Sequence, residues 1–531
     1  MNYLAWNGIP TLAELVRTLD HHAKPLYWAV CLPAQEMPLF RPSENPCVLE
    51  QTLAEAIARK IGCLQFNAVN VLANVLPDVH LWLVPSEHAS DIQTHFPHAL
   101  QWQTTPITQR ETAFKPWFRL IENQTKPTSA IVIGAGIAGA ATARELAEHG
   151  VRVTVLEAKH IANAGSGNRQ GLLYAKISPH PTEQTELLLA GYGYTRRLLA
   201  DLLPEQHAWG GDGVLHVNFN EAERKRNQAL GLQHHHAHLY RAVSQQESAE
   251  IAGLDVGSDG LYWPQGVWLN PPALVRTLLE HPLINVHEHA PLLSAEFNGT
   301  AWTAHTAQGS FTAENLIYCM GAHSPNAPER NISALPFRQI RGQTGVAKAS
   351  ALSAKLRCAV SGESYISPSW QGQHCYGATF VLNSSDEAWH QHEESANRAA
   401  LHDLQPALAD SLFSDGLNPL AEAHGHAALR CDSLDHLPMV GAVGDIAAIQ
   451  EVYAKLALDK HYRLTAPCPY LPNVWLNTAH GTRGLATAPI CAASLVAEIL
   501  NLPQPLSPRL KAALHPNRAV IRAIVRHQPL L

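Results

Sequence analysis

Three glycines and an acid carry the first chemistry that can be read in this chain. Gly134-x-Gly136-x-x-Gly139 follows the apolar run 130–133 and opens an Ala-rich helical stretch that reaches Leu146. A second apolar run, 151–156, ends at Glu157. In such a pattern Gly134 permits a tight turn, Gly136 lets a pyrophosphate approach the backbone, and Gly139 lets helix and strand pack closely. The helix start offers free N–H groups and a positive dipole end to phosphate. Glu157 is placed to accept both hydroxyls of an adenosine ribose. Strand, glycines, helix, strand and acid follow in this order within about 30 residues, which separates a dinucleotide site from an ordinary Gly-rich turn.

A second loop comes soon after. Gly165-Ser166-Gly167-Asn168-Arg169-Gln170-Gly171 has small side chains and many backbone N–H groups, which suits a second phosphate or a flat ring. Far downstream, Asn315-Leu316-Ile317-Tyr318-Cys319-Met320-Gly321 and Val474-Trp475-Leu476-Asn477-Thr478-Ala479-His480-Gly481 are two further apolar runs that end in glycine. The second leads through Gly484 and Leu485 into an apolar helix over 488–500.

These loops need elements to hold them. The distant strand–glycine units suit one large dinucleotide laid across a sheet to which the chain returns several times. Between them, 260–269 and 358–381 are rich in Trp, Tyr, Thr and alternating apolar residues, which predicts antiparallel strands of a substrate domain. Cofactor and substrate segments therefore interleave along the chain. Ahead of them, residues 1–122 are domain-sized. Leu12, Leu15, Val16 and Leu19 have helical spacing, and 26–32 and 79–84 have the look of strands. Only Gly8 and Gly62 occur before residue 130, so a nucleotide loop is not expected there. The polar stretch 123–129 with Pro127 reads as a linker.

Composition sets bounds. The 531 residues predict two or three domains, and 46% apolar residues suffice for a core in each. A net charge of -7 argues against a wholesale nucleic-acid coat and leaves local patches open. Nine cysteines without a CxxC pair fit a reducing compartment. The first fifteen residues do not read as a signal peptide, and no run of about 18 uncharged apolar residues predicts a membrane span. A soluble cytoplasmic protein is expected. His234-His235-His236-x-His238 lacks nearby cysteines or a second cluster, so it reads as a solvated surface run and no metal site is expected.

The fingerprint, with seventeen residues between Gly139 and Glu157, resembles that of the D-amino-acid oxidase, glycine oxidase and sarcosine oxidase superfamily. Three further stretches narrow the resemblance. They are the loop from Ser166 to Tyr174, the run Arg430-Cys431-Asp432-Ser433-Leu434-Asp435-His436-Leu437-Pro438-Met439-Val440-Gly441, and His480-Gly481-Thr482-Arg483-Gly484 with His515-Pro516-Asn517-Arg518. Together they resemble the FAD-dependent oxidoreductase half of the bifunctional tRNA 5-methylaminomethyl-2-thiouridine biosynthesis family, over roughly residues 127–526. The resemblance implies an α/β fold in which an FAD-binding Rossmann-like domain interleaves with an antiparallel-sheet, glycine oxidase-like substrate domain, behind a small α/β N-terminal domain. The FAD segments would be about 130–200, 280–325 and 430–505. The substrate segments would be about 205–280 and 330–430, and a basic tail spans 507–531. The family's methyltransferase half needs a Gly-rich loop and an acidic-aromatic-proline motif, and neither occurs in residues 1–120. Phe114-Lys115-Pro116-Trp117-Phe118 resembles the family's junction, so this segment reads either as a degenerate methyltransferase remnant or as an unrelated structural domain.

The resemblance further implies oxidation of the carboxymethylaminomethyl group on a tRNA wobble uridine, leaving aminomethyluridine and glyoxylate. Arg430 would clamp the carboxylate, Tyr365 would line the pocket, and the backbone from Gly481 to Leu485 would face developing negative charge, with Arg483 beside it or on tRNA phosphate. Surface and core roles for Arg430 and Tyr365 stay open on sequence alone. Ser166, Asn168, Gln170, Gly171, Gly321, His480, Gly484 and Leu485 join the fingerprint residues as expected FAD contacts. The spacing after Cys431 departs from the flavin-tethering pattern of sarcosine oxidases, so the FAD is expected to be non-covalent. Arg518, Arg522 and Arg526 have i, i+4, i+8 spacing and, with Arg509 and Lys511, form a candidate phosphate-contacting stripe. Two alternatives remain: a small-molecule glycine, sarcosine or D-amino-acid oxidase, and a non-catalytic flavin-containing tRNA-binding protein.

Overall fold

The computed structural model describes residues 2–110, 115–118, 126–414 and 416–530. Phe114 of the expected junction, and Asn123, Gln124 and Thr125 of the expected linker, lie outside the described residues.

The N-terminal segment forms a five-stranded sheet, in the order Asn70–Leu76, Val79–Val84, Leu26–Cys31, Asn2–Asn7 and Gln101–Trp102. All but the first strand run parallel to their neighbours. Leu26–Cys31 is buried along its whole length, as a central parallel strand covered on both faces must be. The expected helix is Leu12–Leu19, started by a capping box in which Thr11 and Glu14 satisfy each other's backbone N–H.

The central sheet has six strands, in the order Ile284–His287, Arg152–Leu156, Ser129–Ile133, Asn315–Tyr318, Tyr470–Thr478 and Met439–Gly444. The first five are parallel and the last antiparallel. The fingerprint strand Ser129–Ile133 thus lies inside the sheet. The strand–glycine unit at 315–321 flanks it, and the one at 474–481 lies one strand further out. The Ala-rich fingerprint helix Ile137–Glu148 packs against the apolar helix Gly484–Ile499, which brings residues 350 positions apart to one face.

Against this unit stands a nine-stranded, mostly antiparallel sheet. Its spine is the long strand Phe337–Lys348, paired over ten residues with His424–Ser433, the strand that carries Arg430. Gly260–Trp263, Val214–Val217, Ala359–Ser361, Tyr365–Ile366 and Gln373–Gly377 lie on one side of that spine. The fold is the expected one: an α/β dinucleotide unit interleaved in sequence with an antiparallel substrate sheet.

Two surface expectations are corrected. His236 is 1% exposed, packed between Phe66 and Tyr240, and His238 bonds the carbonyl of Leu64. His236 and His238 are therefore part of the joint with the N-terminal unit, while His234 and His235 are exposed as expected. The joint also contains the pair Lys60–Asp201 and a 2.8 Å contact from His95 Nδ1 to the Gln504 carbonyl. In the tail, Arg518 is buried and grips Asp435 with two bonds of 2.9 and 3.1 Å, and Arg522 reaches the same carboxylate at 2.8 Å. Arg509 pairs with Glu183 and Glu186, and Lys511 with Glu498. Asp435 takes two of the five cations of the expected stripe, and three glutamates take two more. Among the described residues only Arg526 has no ion pair in it, and it is exposed.

Candidate active site

A cavity of about 610 Å³ runs from the fingerprint to the substrate sheet. At one end the glycines behave as their spacing requires. Gly134 has φ +103°, and a Cβ there would meet the Cys319 carbonyl oxygen at 2.6 Å; a Cβ on Gly139 would lie 1.8 Å from the Gly134 carbonyl oxygen. Neither position admits a side chain. Ser166, from the second loop, accepts a 3.0 Å hydrogen bond from Ile137 N–H and so caps the fingerprint helix. The N–H groups of Gly136 and Ala138 line the cavity without a hydrogen-bond partner among the described residues. Glu157 lies at the end of its strand, where its carboxylate accepts from Ala135 N–H at 2.8 Å and Lys159 N–H at 2.9 Å.

The middle of the cavity is lined by Ser166, Asn168, Gly171 and Tyr174 on one side and by Gly321, Asn477, His480 and Gly481 on the other. Gly171 lets the loop lie close to the helix start, since a Cβ there would lie 2.6 Å from Leu485 Cδ1 and push that side chain aside. His480 Nδ1 lies 2.9 Å from Thr487 Oγ1 and its Nε2 3.0 Å from Asn477 Oδ1. Burial pulls its pKa down to about 3, so the ring is neutral. Gly481 donates its own N–H to the Cys431 carbonyl. The N–H groups of Thr482, Gly484 and Leu485 point out of the start of a sixteen-residue helix and have no partner among the described residues. All three residues line the cavity.

The far end holds Arg430 and Tyr365. The Arg430 guanidinium makes no hydrogen bond or ion pair with any described residue, and desolvation disfavours its charged form. Its guanidinium lies over Gly342 on the facing strand, where a Cβ would come within 2.4 Å of Nη1. Tyr365 donates to the Gln170 carbonyl at 3.3 Å and lies 3.6 Å from Cys375 Sγ; burial pushes its phenol well above the ordinary value. A half-buried cation with no partner among the described residues is poised for an anion brought by a ligand.

Two expected contacts are relocated. Gln170 does not line the cavity. Its side chain is fully buried and donates to the Pro368 carbonyl at 2.9 Å, tying the second loop to the substrate sheet. Arg483 does not line it either. Its backbone carbonyl accepts from the helix start, and its guanidinium senses Asp432 and Tyr174. Three features of the site were not read from sequence. Gly342, outside the cavity lining, packs against the Arg430 guanidinium, a role announced only by a glycine inside a strand. Ser361 lines the wall beside Tyr365. At the rim, Glu387 joins Lys159 at 2.5 Å and His323 at 3.3 Å.

The cavity fits FAD on its own features: two glycines that admit no Cβ, unpartnered N–H groups at two helix starts, and an acid at the end of the second strand. Comparison with known proteins agrees. The family model described as FAD dependent oxidoreductase matches residues 129–499. A tRNA 5-methylaminomethyl-2-thiouridine biosynthesis bifunctional protein MnmC from Chromobacterium violaceum is 36% identical over 496 residues, covering 92% of this chain and 74% of the relative. That of Ectopseudomonas mendocina is 36% identical over 495 residues, covering 92% and 73%. Among solved structures, glycine oxidase from Bacillus cereus aligns with TM-score 0.55 and 18% identity over 70% of this chain and 94% of its own. L-proline dehydrogenase from P. horikoshii aligns with TM-score 0.57 and 15% identity over 74% and 98%. These two structures share the fold. With fingerprint, cavity and relatives in agreement, the chain belongs to the FAD dependent oxidoreductase family and, within it, to the tRNA 5-methylaminomethyl-2-thiouridine biosynthesis bifunctional proteins.

Proposed function

We propose that this chain oxidises the carboxymethylaminomethyl group on carbon 5 of a tRNA wobble uridine, leaving aminomethyluridine and glyoxylate. The observation that carries this reading is Arg430, a cation without a partner in the same cavity as the dinucleotide fingerprint. The substrate supplies the missing carboxylate, and an arginine fork is its geometric match. Bound FAD supplies a two-electron acceptor for the hydride of the N–CH2 carbon. The chain does the rest. Arg430 over Gly342 fixes the carboxylate, Tyr365 closes the pocket beside it, and the low-dielectric wall favours the uncharged amine that oxidation requires. Thr482, Gly484 and Leu485 N–H groups, at a helix start, stabilise negative charge that develops on the ring system. Cys431 is buried with its thiol pushed up to about 12, which supports a flavin held without a covalent link.

A tRNA substrate implies a cytoplasmic protein. None of the described helices is long and apolar enough to cross a membrane. Residues 1–122 carry no Gly-rich nucleotide loop, so methyl transfer is not part of the function proposed for them.

Anaerobic mixing with tRNA carrying carboxymethylaminomethyluridine tests the proposal. Flavin bleaching should accompany conversion of that nucleoside to aminomethyluridine by mass, and Arg430→Ala should abolish both. The ion-paired tail favours one competing reading, a small-molecule amine oxidase, because most of the expected phosphate stripe is already neutralised. Bleaching by glycine or sarcosine and not by tRNA would establish that reading instead.

A further inference from the structure

Behind the cavity wall a row of polar side chains crosses three adjacent strands of the substrate sheet. Tyr365 is the register partner of Ser361, and Ser361 is the register partner of His216. Register partners present their side chains on one face, so the three form a line leading away from the arginine end. Ser361 lines the cavity, while His216 behind it is 2% exposed. Ser361 Oγ lies 3.4 Å from His216 Nδ1, and His216 Nε2 lies 2.9 Å from Glu223 Oε2. Tyr174, which also lines the cavity, places its hydroxyl 2.9 Å from Ser361 Oγ. Glu223 is 13% exposed and is held by Arg226 and Lys176 on the outer side.

We infer that Ser361, His216 and Glu223 form a proton relay that takes the amine proton from the cavity before oxidation. The inference rests on the function proposed above, in which the substrate is a secondary amine. Such an amine is an ammonium at neutral pH and cannot yield a hydride until it loses a proton. Glu363 is the carboxylate that lines this part of the cavity and it is exposed to solvent, whereas the row through Ser361 leads inward and its hydrogen-bond polarity runs in one direction. A Glu223 carboxylate can only accept, so His216 Nε2–H donates to it, which leaves Nδ1 to accept from Ser361 O–H and Ser361 to accept from Tyr174 O–H. Ser361 Oγ keeps one lone pair for the substrate.

In the transfer the amine N–H bond breaks and its electron pair stays on nitrogen. The proton joins Ser361 Oγ while the serine's own proton passes to His216 Nδ1. The Nε2 proton passes to Glu223 and from there to water. One proton enters, one leaves, and nothing is oxidised or reduced. The groups facing the imidazole are the Tyr174 ring at 6.1 Å, Phe219 at 6.1 Å, Glu223, Lys176 and Arg226. Burial holds the resting ring below its ordinary pKa, and the His216 hydrogen bond together with the Arg226 and Lys176 charges holds Glu223 as a carboxylate. The relay therefore rests with an empty acceptor at Nδ1.

The test combines reduction kinetics with a measurement on the resting flavoprotein. Ser361→Ala should slow anaerobic flavin reduction by the modified tRNA by about a hundredfold near neutral pH. It should recover to within about twofold of wild type at about pH 10, where the amine is already deprotonated. Ser361→Thr should stay within about tenfold throughout, because the hydroxyl is kept. In the resting protein, ¹⁵N NMR should find His216 protonated at Nε2 alone. A loss of equal size at both pH values, or an Nδ1–H tautomer, overturns the relay. A wild-type flavin that modified tRNA does not reduce overturns the proposed function instead. The same ratios are then read with sarcosine, and the tautomer still decides the relay.

Discussion

Replacing Arg430 by methionine should make the protein more stable and nearly inactive. The guanidinium sits over Gly342 with no ion pair or hydrogen bond to any described residue, and burial disfavours its charge. Methionine fills a similar volume without a charge to desolvate. Swapping buried ionic groups for apolar ones of like volume gains about 1–4 kcal/mol in favourable cases. Arg430 borders a cavity, so the lower end, about 1 kcal/mol, is expected, or a rise in Tm of about 2–4 °C. Activity moves the other way. A bidentate carboxylate contact is two charge-assisted hydrogen bonds of about 1.5–3 kcal/mol each, so kcat/KM should fall by roughly 10²–10⁴. The assays are thermal melts of the FAD-loaded protein, with flavin content checked by absorbance, and steady-state oxidation of the modified tRNA. A lower Tm for Arg430→Met would refute the reasoning, since it would mean that the charge already has a partner. A kcat/KM within about threefold of wild type would refute the carboxylate role.

Three further substitutions follow from the same geometry. Gly139→Ala places a Cβ 1.8 Å from the Gly134 carbonyl oxygen, so helix and turn must separate; the purified protein should be colourless and melt lower, by about 3 kcal/mol or more. Gly342→Ala pushes on the mobile end of Arg430 and not on backbone, so KM for the modified tRNA should rise about tenfold, with Tm shifted by no more than about 2 °C. Asp435→Asn leaves buried Arg518 without its carboxylate and should cost about 2–4 kcal/mol in urea titrations near neutral pH. Arg518 and Arg522 hold the Asp435 pKa well below the usual carboxylate range. That contribution is complete above about pH 4 and fades as pH falls toward the folded value, so the gap between wild type and variant should narrow in acid.

The sequence carried the cofactor end of the site because glycines there are demanded by backbone closeness, and that demand leaves a fixed spacing. Arg430 was found through its neighbours in the chain, whereas its packing partner Gly342 comes from a strand about ninety residues earlier. The misreadings share a cause. Arg518 and Arg522 have surface spacing, but Asp435, more than eighty residues away, turns them inward. His236 looks solvated until Phe66 is laid against it. Gln170 sits in a loop built for phosphate, yet its amide is claimed by Pro368. The row through Ser361 draws on three strands whose lateral register no local pattern encodes. The strand Asn2–Asn7 and the helix Val48–Ile61 are weak in periodicity and take their form from the sheet they complete.

The joint between the N-terminal unit and the rest has an evolutionary consequence. Lys60 reaches Asp201, His95 reaches the Gln504 carbonyl, and Cys63 is packed into the same apolar core as the fingerprint helix. Deleting the unit would strip cover from Asp201, Gln504, His236 and that core at once, and each would need a compensating change before the remainder was soluble. Removal of the unit therefore takes many coordinated changes. The joint thus ties the two units into one inherited piece, and sequence drift in the N-terminal unit should concentrate on faces turned away from the joint.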